Sequence, residues 1–238
     1  MRDRAILTIV LSMFLAKLVS GADFPRDDTV KWTKWSKARE KVDLGHGPLI
    51  DDLESYVFDD KFTRAVRNKK DPGNWVHELT HRVQAMLRGQ MKIRTGIQHN
   101  SFYVFNGYAF SVPEPNVTLL QVAAEVSKED QGPEYKHYLK FAAAWRNNEP
   151  LFVLDEATAY ANCVLYQLSV GIPDQLRATT MLEFLPYTDA VISAVEKHDT
   201  EYEQLEQLKA YVAWHRKRAE HLGNLHRYLF MEKLYKLW

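Results

Sequence analysis

Five consecutive residues, His77-Glu78-Leu79-Thr80-His81, restrict this chain more than any other feature of it. Helical residues four apart share a face, so a helix here presents two imidazoles on one side with a carboxylate beside them. Two nitrogen donors at that spacing suit a divalent metal, and the neighbouring Glu suits proton transfer from water. The flanks read as helix. Asp71-Pro72-Gly73-Asn74 is a turn cluster with Asn74 as the expected N-cap, apolar residues run from Trp75 to Leu87, and Gly89 is the expected stop, predicting a helix over Trp75–Arg88. The competing reading is a surface helix with two solvated His. The apolar neighbours argue against it, because His residues on a partly buried face need partners.

Two His do not complete a catalytic zinc site, which takes three protein ligands and leaves a fourth position for water. The closely spaced H-E-x-x-H-x-x-G-x-x-H pattern is absent, since Leu87 stands six residues after His81, where its third His would fall, and Met91 stands at the tenth. The third ligand must therefore come from a later element. Glu156 is the expected one. It stands in Leu154-Asp155-Glu156-Ala157-Thr158-Ala159-Tyr160-Ala161-Asn162, a carboxylate in an apolar helical run whose small alanines admit a second helix. A buried carboxylate is costly unless it is paired or binds metal. Asp155 is the nearest alternative, followed by His99, His137 and Glu134. In the competing reading Glu156 pairs with Arg146 or Arg82, or faces water.

An H-E-x-x-H helix followed by a second helix with a Glu in a short alanine-rich segment resembles the gluzincin metallopeptidases, most closely their lethal-factor-type branch. The resemblance covers His77–His81 and Asp155–Asn162. It implies a zincin-like domain in which His77, His81 and Glu156 bind Zn²⁺, Glu78 is the general base, and the substrate is a peptide or protein. One departure matters. Thermolysin-like members carry an Asp four residues after the ligand Glu that orients a ligand His, and here that position is Tyr160. The group that orients the ligand His stays open. Oxyanion stabilisation is expected from a phenol or imidazole, with Tyr103, Tyr108, Tyr160 and His198 as candidates. Tyr160, one turn beyond Glu156, is alternatively placed to support that carboxylate.

The rest of the chain predicts one mainly α domain with a small β-hairpin or sheet, an α+β class. Arg2 and Arg4, the apolar run Ala5–Ala16 and Ser20-Gly21-Ala22 read as an export signal over 1–22, ahead of a single domain at 23–238. That predicts a secreted or periplasmic protein without stable membrane insertion after cleavage; the competing reading is an uncleaved anchor. The 31 basic and 31 acidic residues balance, so no surplus points to nucleic acid. The single Cys163, in an apolar stretch, reads as a buried inert thiol. Residues 23–45 read as a short helix or an extended arm laid across the body. Asp51, Asp52, Asp59 and Asp60 read as caps and solvated turns.

Ser101–Phe105, Asn106-Gly107 and Tyr108–Val112 predict a hairpin with a two-residue turn. It could border a cleft and bind an extended substrate by adding a strand. Helices are expected over 117–127, 134–146, 150–170, 173–181, 187–197, 201–221 and 225–236. Two other functions compete with a zinc-dependent hydrolase. One is a non-catalytic exported module that binds metal or protein. The other is a di-iron bundle built on Glu78-x-x-His81 and Glu134-x-x-His137, with Glu125 and Glu156 as further ligands.

Overall fold

The computed structural model describes residues 24–37, 48–57, 61–67 and 70–235. The expected export signal lies outside them, as do Asp59 and Asp60. Among the described residues no helix is long and apolar enough to cross a membrane. The architecture is mainly helical with one small antiparallel sheet, the expected α+β class.

The chain enters as an extended arm whose Trp32–Lys34 forms β1. Helices α1 (Pro48–Glu54) and α2 (Lys61–Val66) precede the long α3 (Pro72–Thr95). The hairpin β2 (His99–Tyr103) and β3 (Tyr108–Pro113) follows, and β1 pairs with β3 to give the order β1-β3-β2. Next come α4 (Leu119–Glu125), a π-helical turn at Lys136–Phe141, α5 (Ala143–Arg146), α6 (Phe152–Ser169), α7 (Gln175–His198) and α8 (Leu205–Tyr235).

Helix α6 is the centre of the molecule. Nearly every residue from Val153 to Leu168 is buried, as expected of a helix apolar on all sides. It packs against α3, α7 and α8, and Ala157, Ala159 and Ala161 have no exposed surface. One core cluster joins the sheet to α4, α7 and the first half of α8; a second joins α1, α3 and the hairpin tip to the second half of α6.

Several boundaries differ from expectation. The cap of α3 is Asp71, whose side chain accepts from Asn74 N at 3.0 Å, so Asn74 lies inside the helix. The helix runs through Gly89 and ends at Gly96, whose φ of 75° closes it in a left-handed cap. Gly89 meets no neighbour on its open side, so its weak helix preference is not enough to end α3. The two expected helices at 173–181 and 187–197 are one helix, α7, continuous through Pro186. Likewise 201–221 and 225–236 merge into α8, where Gly223 brings the backbone so close to Leu182 that a Cβ would sit 3.2 Å from its methyls.

The hairpin forms, but with an extra residue. Phe105, Asn106 and Gly107 all have positive φ, and Tyr103 pairs with Ala109. The connection is therefore a three-residue loop, Phe105–Gly107, closed by Val104 N donating to the Tyr108 carbonyl at 2.9 Å, and not the expected two-residue turn; the Phe105 ring is buried. Asp52 is not solvated: its carboxylate accepts from Tyr103 OH at 2.5 Å and Asn106 N at 3.1 Å, fastening the tip to α1.

Candidate metal centre

Helix α3 delivers His77 and His81 to the face that meets α6, and α6 delivers Glu156 between them. The two imidazole Nε2 atoms are 3.0 Å apart. Glu156 Oε2 lies 3.5 Å from each. His77, His81 and Glu156 are the group of potential metal ligands found among the described residues. His77 and Glu156 are buried and His81 is partly so.

The donor set fits a metal on three grounds. Bonds of ~2.0–2.1 Å arranged tetrahedrally place ligand atoms about 3.3 Å apart, close to the separations here. Glu156 Oε2 is buried with no hydrogen-bond partner in the protein, which is costly without a cation. The electrostatics agree. Burial would raise the Glu156 carboxyl, but His77 and His81 outweigh it and hold it at about 2. Burial would lower His81, but Asp155 and Glu156 outweigh it and lift the imidazole well above its ordinary value. Two carboxylates thus draw positive charge to this point.

Asp155, the nearest rival of Glu156 as third ligand, takes a different place. Its Oδ2 meets His81 Nδ1 at 2.5 Å. That contact leaves His81 Nε2 facing His77 and Glu156, the arrangement in which a carboxylate orients a ligand imidazole. Arg88 Nη1 holds the other Asp155 oxygen at 3.4 Å and also donates to Asn100 Oδ1 at 3.2 Å. Asn100 in turn donates to Glu114. Adjacent residues on a helix differ by about 100° in direction, so one Asp-Glu pair can serve both the inner cluster and its outer support.

Tyr160 supports the cluster from the side of His77. Their ring centroids lie 4.5 Å apart at 63°, and the Tyr160 hydroxyl shares a 3.0 Å hydrogen bond with Tyr138 on the π-helical turn. Burial raises both phenols. Tyr138 went unrecognised in the sequence, since a π-helical turn has no periodicity that marks it.

Glu78 is half-buried on the wall of an open cleft of about 290 Å³. His81, Arg82, Arg88, Arg146, Asp155 and Glu156 line the same cleft. Arg146 does not pair with Glu156; it donates to Glu149 at 2.7 Å and stacks over Phe152.

Other sequence candidates lie elsewhere. His99 bonds the Ile97 carbonyl, and His137 is exposed against Tyr138. Glu125 pairs with Lys197. The second E-x-x-H segment therefore does not converge with the first, and the di-iron arrangement is not what the described residues form. Tyr103 is committed to Asp52, Tyr108 lies under Arg26, and His198 is exposed at the end of α7. The edge of β2 is closed at Tyr103, where Gln84 Oε1 accepts from its N–H at 3.2 Å and Asn162 Nδ2 donates to its carbonyl at 3.0 Å. Strand addition is not open at that position. Cys163 is buried, which pushes its thiol up to about 12.

No protein-family model matches this chain, and comparison with curated proteins and with solved structures likewise gives no match.

Proposed function

We propose that the protein is a zinc-dependent hydrolase of zincin type, acting on peptide bonds. The observation that carries this reading is the convergence of His77, His81 and Glu156 with Glu78 on the adjoining cleft wall. Two imidazole nitrogens and one carboxylate oxygen form a zinc-type donor set, and the open cleft leaves room for water and substrate.

When bound, zinc supplies Lewis-acid chemistry that makes water a usable nucleophile near neutral pH. Glu78 takes the proton from the attacking water and returns it to the leaving amine. Asp155 holds the His81 ring with Nε2 inward, and Tyr160 braces His77. Arg88 and Arg146 on the cleft wall offer donors to a carbonyl oxygen as it gains charge.

Metal content by mass spectrometry, together with cleavage of a mixed peptide library, tests the reading. One zinc per wild-type chain is expected, with loss of zinc in Glu156→Gln. Glu78→Gln should keep its zinc and lose cleavage by about a hundredfold or more. A Glu78→Gln variant that cleaves as well as wild type would reject the peptidase reading, and zinc retained by Glu156→Gln would reject the ligand set.

A further inference from the structure

Helix α6 carries both carboxylates of the metal centre, and one residue outside the centre holds that helix from two directions. Glu114 follows β3 directly, and the backbone before it is fixed by Tyr202, whose hydroxyl donates to the Pro113 carbonyl at 2.6 Å. Glu114 Oε1 accepts from Leu151 N at 2.8 Å, at the residue that precedes α6. A carboxylate there satisfies a backbone donor that the helix cannot, and its charge suits the positive end of the helix.

The second oxygen of Glu114 starts a chain of contacts. Glu114 Oε2 accepts from Asn100 Nδ2 on β2. Asn100 Oδ1 accepts from Arg88 Nη1 on α3 at 3.2 Å, and the same Nη1 donates to Asp155 Oδ1 at 3.4 Å. Asp155 Oδ2 meets His81 Nδ1 at 2.5 Å. Side chains of β2, α3 and α6 thus connect Glu114 to a metal ligand.

The chain has a direction. An ionised Glu114 can only accept, and Arg88 can only donate, whereas the Asn100 amide has one end of each kind. Glu114 takes the amide N–H and so leaves the Asn100 oxygen for Arg88. Asp155 is then held between Arg88 and His81, one oxygen on each. Turning the Asn100 amide over would set its N–H group against the guanidinium, donor against donor.

We propose that Glu114 is a positioning residue for the metal centre: by fixing the Asn100 amide it holds Arg88 on Asp155, and through Asp155 it holds the His81 ring with Nε2 inward. This role rests on the reading of His77, His81 and Glu156 as metal ligands. Zinc affinity measured by chelator competition tests it without catalysis. The measurement is made at pH 8, where Glu114, raised to about 7, is ionised. Glu114→Gln keeps an oxygen for Leu151 N but sets an N–H group against Asn100. It should bind zinc roughly 2–30-fold more weakly, the range for a residue acting through a network. Asn100→Asp alone sets two carboxylates against each other and should also weaken binding. Together the two changes restore the direction of the chain, since the new amide donates to the new carboxylate and that carboxylate accepts from Arg88. The double variant should return to within about twofold of wild type. Losses that add in the double variant, or wild-type affinity in Glu114→Gln, would overturn the proposal and leave the metal site standing. A wild-type chain that binds no zinc would overturn the proposal together with the metal reading beneath it. Arg88→Met cuts the chain in the middle and should lose affinity likewise. Wild-type affinity there would overturn the proposal even if Glu114→Gln does not fold.

Discussion

Asp155 and Glu156 are neighbours in the chain with separate tasks. Glu156 faces both imidazoles, while Asp155 reaches around His81 to its far nitrogen. Removing the outer carboxylate should loosen the ring without emptying the site. Asp155→Asn is therefore expected to weaken zinc binding by roughly 10–100-fold, as read by competition against a chelator, with the fold retained. An affinity equal to wild type would show that His81 needs no orienting partner. Glu114 gives a residue-scale pH prediction. Burial raises its carboxyl to about 7, against backbone and side-chain hydrogen bonds from Leu151 and Asn100. A carboxyl raised on folding contributes stability that is fully present below its unfolded value near 4.5 and is lost as pH rises through about 7. Since the side chain is partly exposed, the loss is at most ~3 kcal/mol. Urea midpoints at pH 4.5 and 7.5 should converge in Glu114→Gln relative to wild type, and parallel pH dependences would refute the assignment.

Among the elements, the hairpin tip is the most tightly specified. Gly107 has a φ of 79°, and a Cβ there would lie 2.9 Å from the Trp35 carbonyl and 2.8 Å from Tyr56 Oη. The Trp35 carbonyl is backbone, accepts from Tyr56 OH at 3.4 Å and cannot move aside cheaply. Gly107→Ala should therefore cost about 2–3 kcal/mol in denaturant unfolding, from left-handed strain plus the close contact. Helix α3 makes a milder prediction. Asp71 caps its first turn and also pairs with Arg177 on α7 at 2.7 Å, so it joins two helices. Asp71→Ala is expected to cost about 1 kcal/mol, the usual value of a lost N-cap, and a neutral result would show that the cap is dispensable in so long a helix.

At the scale of the whole molecule, the candidate centre staples α3 to α6 where the two core clusters adjoin. A ligand bound by the folded state alone stabilises it by mass action. With free zinc at a hundredfold excess over its dissociation constant, the gain is about 2.7 kcal/mol. Chelation should accordingly lower the melting temperature reversibly, and the same treatment should leave Glu156→Gln unmoved. A wild-type transition indifferent to chelator would argue against a bound metal.

Local chemistry made parts of this protein legible from residues alone. The four-residue spacing of His77 and His81 needs only a helix to place both on one face, and Asn106-Gly107 needs only its tolerance of positive φ to turn a hairpin. The mainly α class with a small sheet follows from the same periodicities. Contacts between distant segments were not legible in that way. His81 and Asp155 are 74 residues apart, and no local pattern says which carboxylate of an Asp-Glu pair turns inward. The continuity of α7 through Pro186 and of α8 through Gly223 also depends on burial against neighbouring helices, which outweighs the weak helix preference of those residues. The burial of Arg218 likewise exists only in three dimensions, because whether an arginine meets water or the protein interior is decided by packing and not by its neighbours in the chain.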